Sequence, residues 1–238
     1  MKGKSTYLEC EKRWVFRMLM FVAGFYGGYA MLVRGGVFSN AQTGNIALCA
    51  IALGSGDWRK AAYYVIPMSA YLLGAVSSEL LPKTANRLRF MRWDTVVTLF
   101  EILMVILMGF VPATAPHQIC QVITSFICSV QYNTFRQAEG VPMATTFCTN
   151  HVRQIGLGLS SFFMTGEKKK LYRKKLADHG MMVLCFMAGT CAATLACRFA
   201  GTHAIWFNLI PLIILFADLF HADRTKEKEL LEEVPSGH

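Results

Sequence analysis

The chain has 238 residues, 54% of them hydrophobic and only 16% charged, well short of the roughly 25% charge of an ordinary soluble domain. Its formal net charge of +9 comes from basic residues clustered between long apolar runs, the distribution of cytoplasmic loops and not of a nucleic-acid footprint. The eight cysteines show no C-x-x-C spacing and no spaced histidine partner, which argues against a metal site or disulfide framework, and no cofactor is expected.

Apolar segments are expected at 14–33, 45–54, 61–81, 94–112, 118–135, 150–164, 180–198 and 203–220. The first carries only Arg17 near its start and no small-residue cleavage site after it, so it reads as a retained span. Segment 45–54 would rise about 15 Å as a helix, half of the hydrocarbon thickness. It and segment 150–164 each follow poor helix material, RGGVFSNAQTG in one case and EGVPMATTFCT in the other. Both are read as half-helices that enter and leave by the same face.

Counting Lys and Arg supports that reading. With two re-entrant segments and the N-terminus inside, only Arg34, Arg59, Lys60 and Arg198 of the 24 basic residues fall outside. Eight full crossings would instead put Lys83, Arg87, Arg89 and Arg92 on the outer side, against the positive-inside tendency. The expected fold is therefore an all-α membrane protein with about six transmembrane helices plus two re-entrant half-helices. It forms one transmembrane domain over 14–220, followed by a short cytoplasmic tail at 221–238. A multi-pass location in the cell inner membrane follows, with both termini cytoplasmic.

The segment lengths run long, short, long, long over 14–112 and again over 118–220. The second half differs by an inserted basic loop, EKKKLYRKKLADH. Three spans per half force the halves to be inverted, as in many secondary transporters, whose sites lie where the repeats meet. Irregular backbone survives at membrane depth only where protein buries it or water wets it.

Hence the two breaks are the candidate site. The first offers Asn40, Gln42, Thr43, Gly44 and Asn45, with Thr43 or Asn45 available to cap the half-helix. The second offers Thr146, Thr149, Asn150 and His151, with Gln131 and Asn133 one span earlier. Two helix N-termini converging there would favour an anion or a polar neutral solute. The alternative is that these polar groups only satisfy each other at a structural turn. Arg34 and Arg136 end the first span of each half, placed either to anchor an anionic substrate or to snorkel. Glu101 is an intramembrane carboxylate and a candidate for coupling. His151 is the one histidine within the expected cavity.

At Arg34–Asn45 the chain resembles the YoaK family of bacterial membrane proteins with a domain of unknown function. The G-V-F stretch leading to Q-T-G-N is intact at Gly36-Val37-Phe38 and Gln42-Thr43-Gly44-Asn45. Gln131–Arg136 matches the family's Q-x-x-x-F-R element, and Thr145–Asn150 stands where its T-x-C-T-G-N-like run lies. Here the second glycine is replaced by Asn150, followed by His151. The resemblance implies about six spans and no particular substrate.

A small-solute transporter or channel is the leading expectation, with the lipid bilayer and an unidentified small solute as partners; a homodimer is compatible with this size. A membrane-embedded enzyme would have to use Cys148 and His151 as nucleophile and base. A non-transporting scaffold or sensor is the third reading.

Overall fold

The computed structural model describes residues 7–82, 90–231 and 235. Lys2, Lys4, Lys83, Arg87 and Arg89, which enter the charge count, lie outside them. The described chain is helical apart from one short hairpin. In order it forms α1 (Arg13–Val33), α2 (Gln42–Gly54), α3 (Trp58–Leu80), α4 (Trp93–Gly109), α5 (Gln118–Thr134), β1 (Gln137–Ala138), β2 (Val141–Pro142), α6 (Thr149–Leu159), α7 (Gly166–Ala200) and α8 (Leu209–Arg224). Helical 3-10 turns at 160–163 and 201–208 lead out of α6 and into α8.

Most elements follow the apolar pattern. Asp57 starts α3 by accepting the Lys60 amide at 3.0 Å, an N-cap of the usual kind. The expected basic loop is corrected: 167–179 is the first half of α7, one unbroken helix of 35 residues. Lys, Leu, Arg, Glu and Ala are strong helix formers, and a Glu167–Lys170 pair at 2.7 Å braces the first turn. The hairpin also has no counterpart in the expected pattern. Its turn places Glu139 at φ 49° and Gly140 at φ 75°, two consecutive left-handed residues of the kind that reverse tightly paired strands.

Helix α1 runs through the centre and is buried on nearly every face from Val15 to Ala30. It packs along α7, and α3 packs along α5 in the same close manner. Glycines permit both contacts. A Cβ on Gly24 would sit 2.1 Å from the Phe186 carbonyl oxygen, and one on Gly189 would sit 2.0 Å from that of Phe21. In the other pair, a Cβ on Gly74 would lie 2.7 Å from the Phe126 carbonyl oxygen. Helix α2 lies on α3, α6 on α7, and α4 on α8.

Polar contacts gather the helix ends into two groups. At one end, the Arg92 backbone N–H donates to Asp223 at 3.0 Å, and its guanidinium donates to Asp94 and to the Leu230 carbonyl. Arg13 pairs with Asp178 and Glu139, and Arg136 with Glu79. At the other end, Arg34 donates to the Val111 and Pro112 carbonyls, Tyr29 to that of Thr202, and Trp206 to that of Ile106.

The molecule is turned outward in its polarity. Leu72, Leu73 and Val76 of α3, Leu184, Leu195 and Phe199 of α7, and Ile210 and Ile213 of α8 are all exposed. Glu101, Gln121, Gln131, Thr145, Thr146, His151 and Asn208 are buried. Two helical stretches, Arg13–Val33 and the run Gly166–Arg224, are long and apolar enough to cross a membrane by length and composition.

Candidate functional site

The first break begins where α1 stops. Gly35 and Gly36 adopt φ of 80° and 72°, and the Gly36 amide reaches back to the Ala30 carbonyl at 3.1 Å. This closes the helix with a left-handed turn that side chains would strain. The chain then runs extended to Ala41, the residue before α2. Neither Thr43 nor Asn45 caps that helix: its start carries no side-chain cap. Asn45 lies one turn inside and grips the extended segment. Its amide donates to the Phe38 carbonyl at 2.7 Å, its oxygen accepts from the Phe38 N–H at 3.3 Å, and it also meets the Gln42 side chain at 2.9 Å. Gln42 in turn donates to the Ser39 carbonyl at 3.2 Å. Gly44 lies against Phe38, and Thr43 is exposed.

Arg34 neither snorkels nor stands free. It is completely buried, and its guanidinium donates to the Tyr29 hydroxyl at 2.8 Å and to the Pro112 and Val111 carbonyls at 3.2 and 2.6 Å. It is a brace that ties the end of α1 to the end of α4.

The second break is held by a different set of residues. After the hairpin the chain bends at Thr145–Thr146 and again at Cys148 before α6, whose start also lacks a side-chain cap. His151 lies in the first turn of α6. Its Nε2–H donates to the Ala144 carbonyl at 2.8 Å, seven residues back, as Asn45 grips Phe38 seven residues back. The other ring nitrogen meets His179 Nδ1 at 2.8 Å. With Nε2 holding a proton toward Ala144, a neutral His151 accepts at Nδ1 from the His179 Nδ1–H. His151 is thus paired and not alone, and both of its ring nitrogens are engaged away from Cys148. The sequence signal for His179 was present, but it lay in the stretch expected to be a loop.

Gln131 is completely buried and donates to the Thr145 carbonyl at 3.1 Å and the Leu19 carbonyl at 3.5 Å. Asn40, from the first break, donates to the Ala23 carbonyl at 3.3 Å. Leu19 and Ala23 are one helical turn apart on α1, about 6 Å by helical rise. The first break therefore bonds to this short stretch of the central helix directly, and the second is linked to it through Gln131 of α5. Around it, the hydroxyls of Ser39 and Thr145 and the Gln131 side-chain oxygen are buried without a hydrogen-bond partner among the described residues, and the buried Thr146 hydroxyl neighbours that of Tyr71.

A cleft of about 290 Å³ opens beside the second break, lined by Tyr132, Asn133, Arg136, Pro142, Met143, Ala144, Phe147 and Asn150. It gathers Asn133, Arg136 and Asn150 from the expected set. Asn133 donates to the Ser129 carbonyl of its own helix at 2.8 Å, and Arg136 to the Asn133 carbonyl at 2.7 Å. Thr149 is exposed at the first turn of α6. Glu101 sits apart from both breaks, on α4, beside the Tyr26 hydroxyl, which also neighbours Asn208. The Glu101 carboxylate oxygens, the Tyr26 hydroxyl and the Asn208 side-chain oxygen all lack hydrogen-bond partners of good geometry among the described residues.

A family model described as a protein of unknown function (DUF1275) matches residues 15–217. No curated protein and no solved structure matches the chain.

Proposed function

From the premise that the chain belongs to the DUF1275 family, we propose that it is a six-span membrane protein that passes a small anionic or polar neutral solute between its two breaks. The observation that carries this reading is the convergence on one turn of α1 of Asn40, from the first break, and Gln131, which holds the second, beside buried hydroxyls without partners. Unpaired buried polar groups cost about 1–3 kcal/mol each, a cost that a passing polar solute or water would relieve. The apolar exterior and polar interior fit a lipid solvent better than an aqueous one.

Several relations support an inverted repeat. Exchanging α1, α2, α3 and α4 with α5, α6, α7 and α8 converts the close pair α1–α7 into α5–α3, and α2–α3 into α6–α7. Gly189 facing the Phe21 carbonyl becomes Gly74 facing that of Phe126. Asn45 gripping Phe38 becomes His151 gripping Ala144. The two groups of helix ends suit spans that alternate in direction, with Glu9 and Glu227 meeting on one face. Glu101 is the group in this interior best suited to take up and release a proton during solute movement.

The test is swelling of proteoliposomes in formate, chloride, glycerol and urea. At least one of these is expected to permeate faster than through empty vesicles, and Thr146→Val combined with Ser39→Ala is expected to reduce that flux. Equal rates with and without protein for all four solutes, or full flux in the double variant, would overturn the proposed path and leave the scaffold reading.

A further inference from the structure

Beyond the two breaks, a groove of about 530 Å³ lies between the 3-10 turn after α6 and the first half of α7, lined by Ser161, Phe162, Lys169, Arg173, Leu176 and Ala177. Lys169, Arg173 and Ala177 are spaced by four, so they share the face of α7 that meets this turn. Neither Lys169 nor Arg173 has an acidic partner among the described residues, and the same holds for Lys168 and Lys174. Of the two acidic residues in this half of α7, Glu167 pairs with Lys170 and Asp178 pairs with Arg13. The groove is therefore a site of uncompensated positive charge.

Its apolar side is equally well defined. Phe162, which lines the groove, and the adjacent Phe163, which does not, are 71% and 94% exposed, too much ring surface to leave in water without a partner. Helix α7 is about 52 Å long at 1.5 Å per residue, some 20 Å more than the hydrocarbon layer needs. Its character changes from basic to apolar near Gly180, and the groove lies on the basic side of that change, next to the apolar stretch.

We propose that this groove binds the headgroup of an anionic phospholipid, with Lys169 and Arg173 on the phosphodiester and Phe162 and Phe163 among the first acyl carbons. Basic residues next to a span are attracted to anionic lipid, and pockets at this level select for it. A soluble polyanion would satisfy the charges but leave both phenyl rings in water. The bound lipid would also lie against the C-terminal end of α6. Gly158 of α6 lies so close to α7 that a Cβ there would meet Leu176 at 2.7 Å, and Leu176 lines the groove.

The proposal rests on the membrane reading above but not on transport. The experiment is native mass spectrometry of the full chain released from nanodiscs of phosphatidylcholine with phosphatidylglycerol. Wild type is expected to retain phosphatidylglycerol over phosphatidylcholine. Lys169→Gln with Arg173→Gln is expected to bind it roughly 10–30-fold more weakly, from about 1 kcal/mol per basic residue. Lys170→Gln, which carries a paired charge away from the groove, is expected to match wild type. Equal retention of both lipids, loss of retention to the same degree in Lys170→Gln, unchanged retention in the double variant, or displacement by millimolar inorganic phosphate would each overturn the proposal. These residues are exposed, so the variants should fold, and an unchanged elution volume checks it. Flux separates the two readings: a wild type that retains phosphatidylglycerol but moves none of the four solutes sinks only transport, and one that moves solute but retains both lipids equally sinks only this site.

Discussion

Replacing His151 tests whether the second break is held as the structure indicates. His151→Ala removes the donor to the Ala144 carbonyl and the acceptor for the His179 N–H at one stroke. Each buried group left unpaired costs about 1–3 kcal/mol, so the expected loss is about 2–6 kcal/mol. At roughly 2–4 °C per kcal/mol for a chain of this size, the melting temperature falls by at least about 4 °C. His151→Asn is more informative, since Asn45 already performs this grip in the first break. An asparagine at 151 can still donate to Ala144, leaving only His179 short of a partner, and should recover about half of the loss. Thermal unfolding of purified protein, followed by loss of the monodisperse elution peak, measures both. Two results would refute the reasoning: a His151→Ala protein melting within about 1 °C of wild type, or a His151→Asn protein no more stable than His151→Ala.

Gly189→Ala should separate α1 from α7, because the added methyl would lie 2.0 Å from a backbone oxygen that cannot rotate away; a loss of about 3 kcal/mol is expected, at the upper end of overpacking effects, read by thermal unfolding. Arg92→Gln removes the charge shared by Asp94, Asp223 and Glu227 and should destabilise by about 3–5 kcal/mol, as when one partner of a buried ion pair is lost; equal stability with wild type would show that the cluster tolerates its own repulsion. Burial pushes the Glu9 carboxyl up, but hydrogen bonds from Lys12 and Lys226 outweigh it and hold the group below the ordinary glutamate range. Its contribution is therefore present above the unfolded value, near about 4.3, and is lost as pH falls through the lower folded value. Hydrogen exchange at 8–12 should rise over that window, and Glu9→Gln should exchange fast at neutral pH with little further change on acidification.

The helices were legible because each is an apolar run of sufficient length, and the breaks because Gly35, Gly36 and the polar run after them cannot continue α1. The roles inside the breaks were not. Whether Arg34 anchors a solute or braces a helix end depends on the Val111 and Pro112 carbonyls, far along the chain and featureless in sequence. The basic half of α7 read as a loop because charge was taken for irregularity, although its residues favour a helix; that misreading also hid His179 from His151. Trp93 and Trp206 sit at or beside helix ends, yet each donates inward, to Thr134 and to the Ile106 carbonyl, which position alone does not reveal.

The pairing of α1 with α7 carries a consequence for biosynthesis. Thr190 of α7 bonds to the Gly24 carbonyl across 166 residues of chain, so α1 receives this neighbour late. At 5–20 residues per second, α1 waits roughly 10–30 s with Gly24 and Gly28 uncovered. Helix α3 then meets α5 after a much shorter delay, so a nascent chain assembles its second pair before its first. A ribosome stalled before α7 would leave a product whose central helix is open to any other segment that offers a small-residue face.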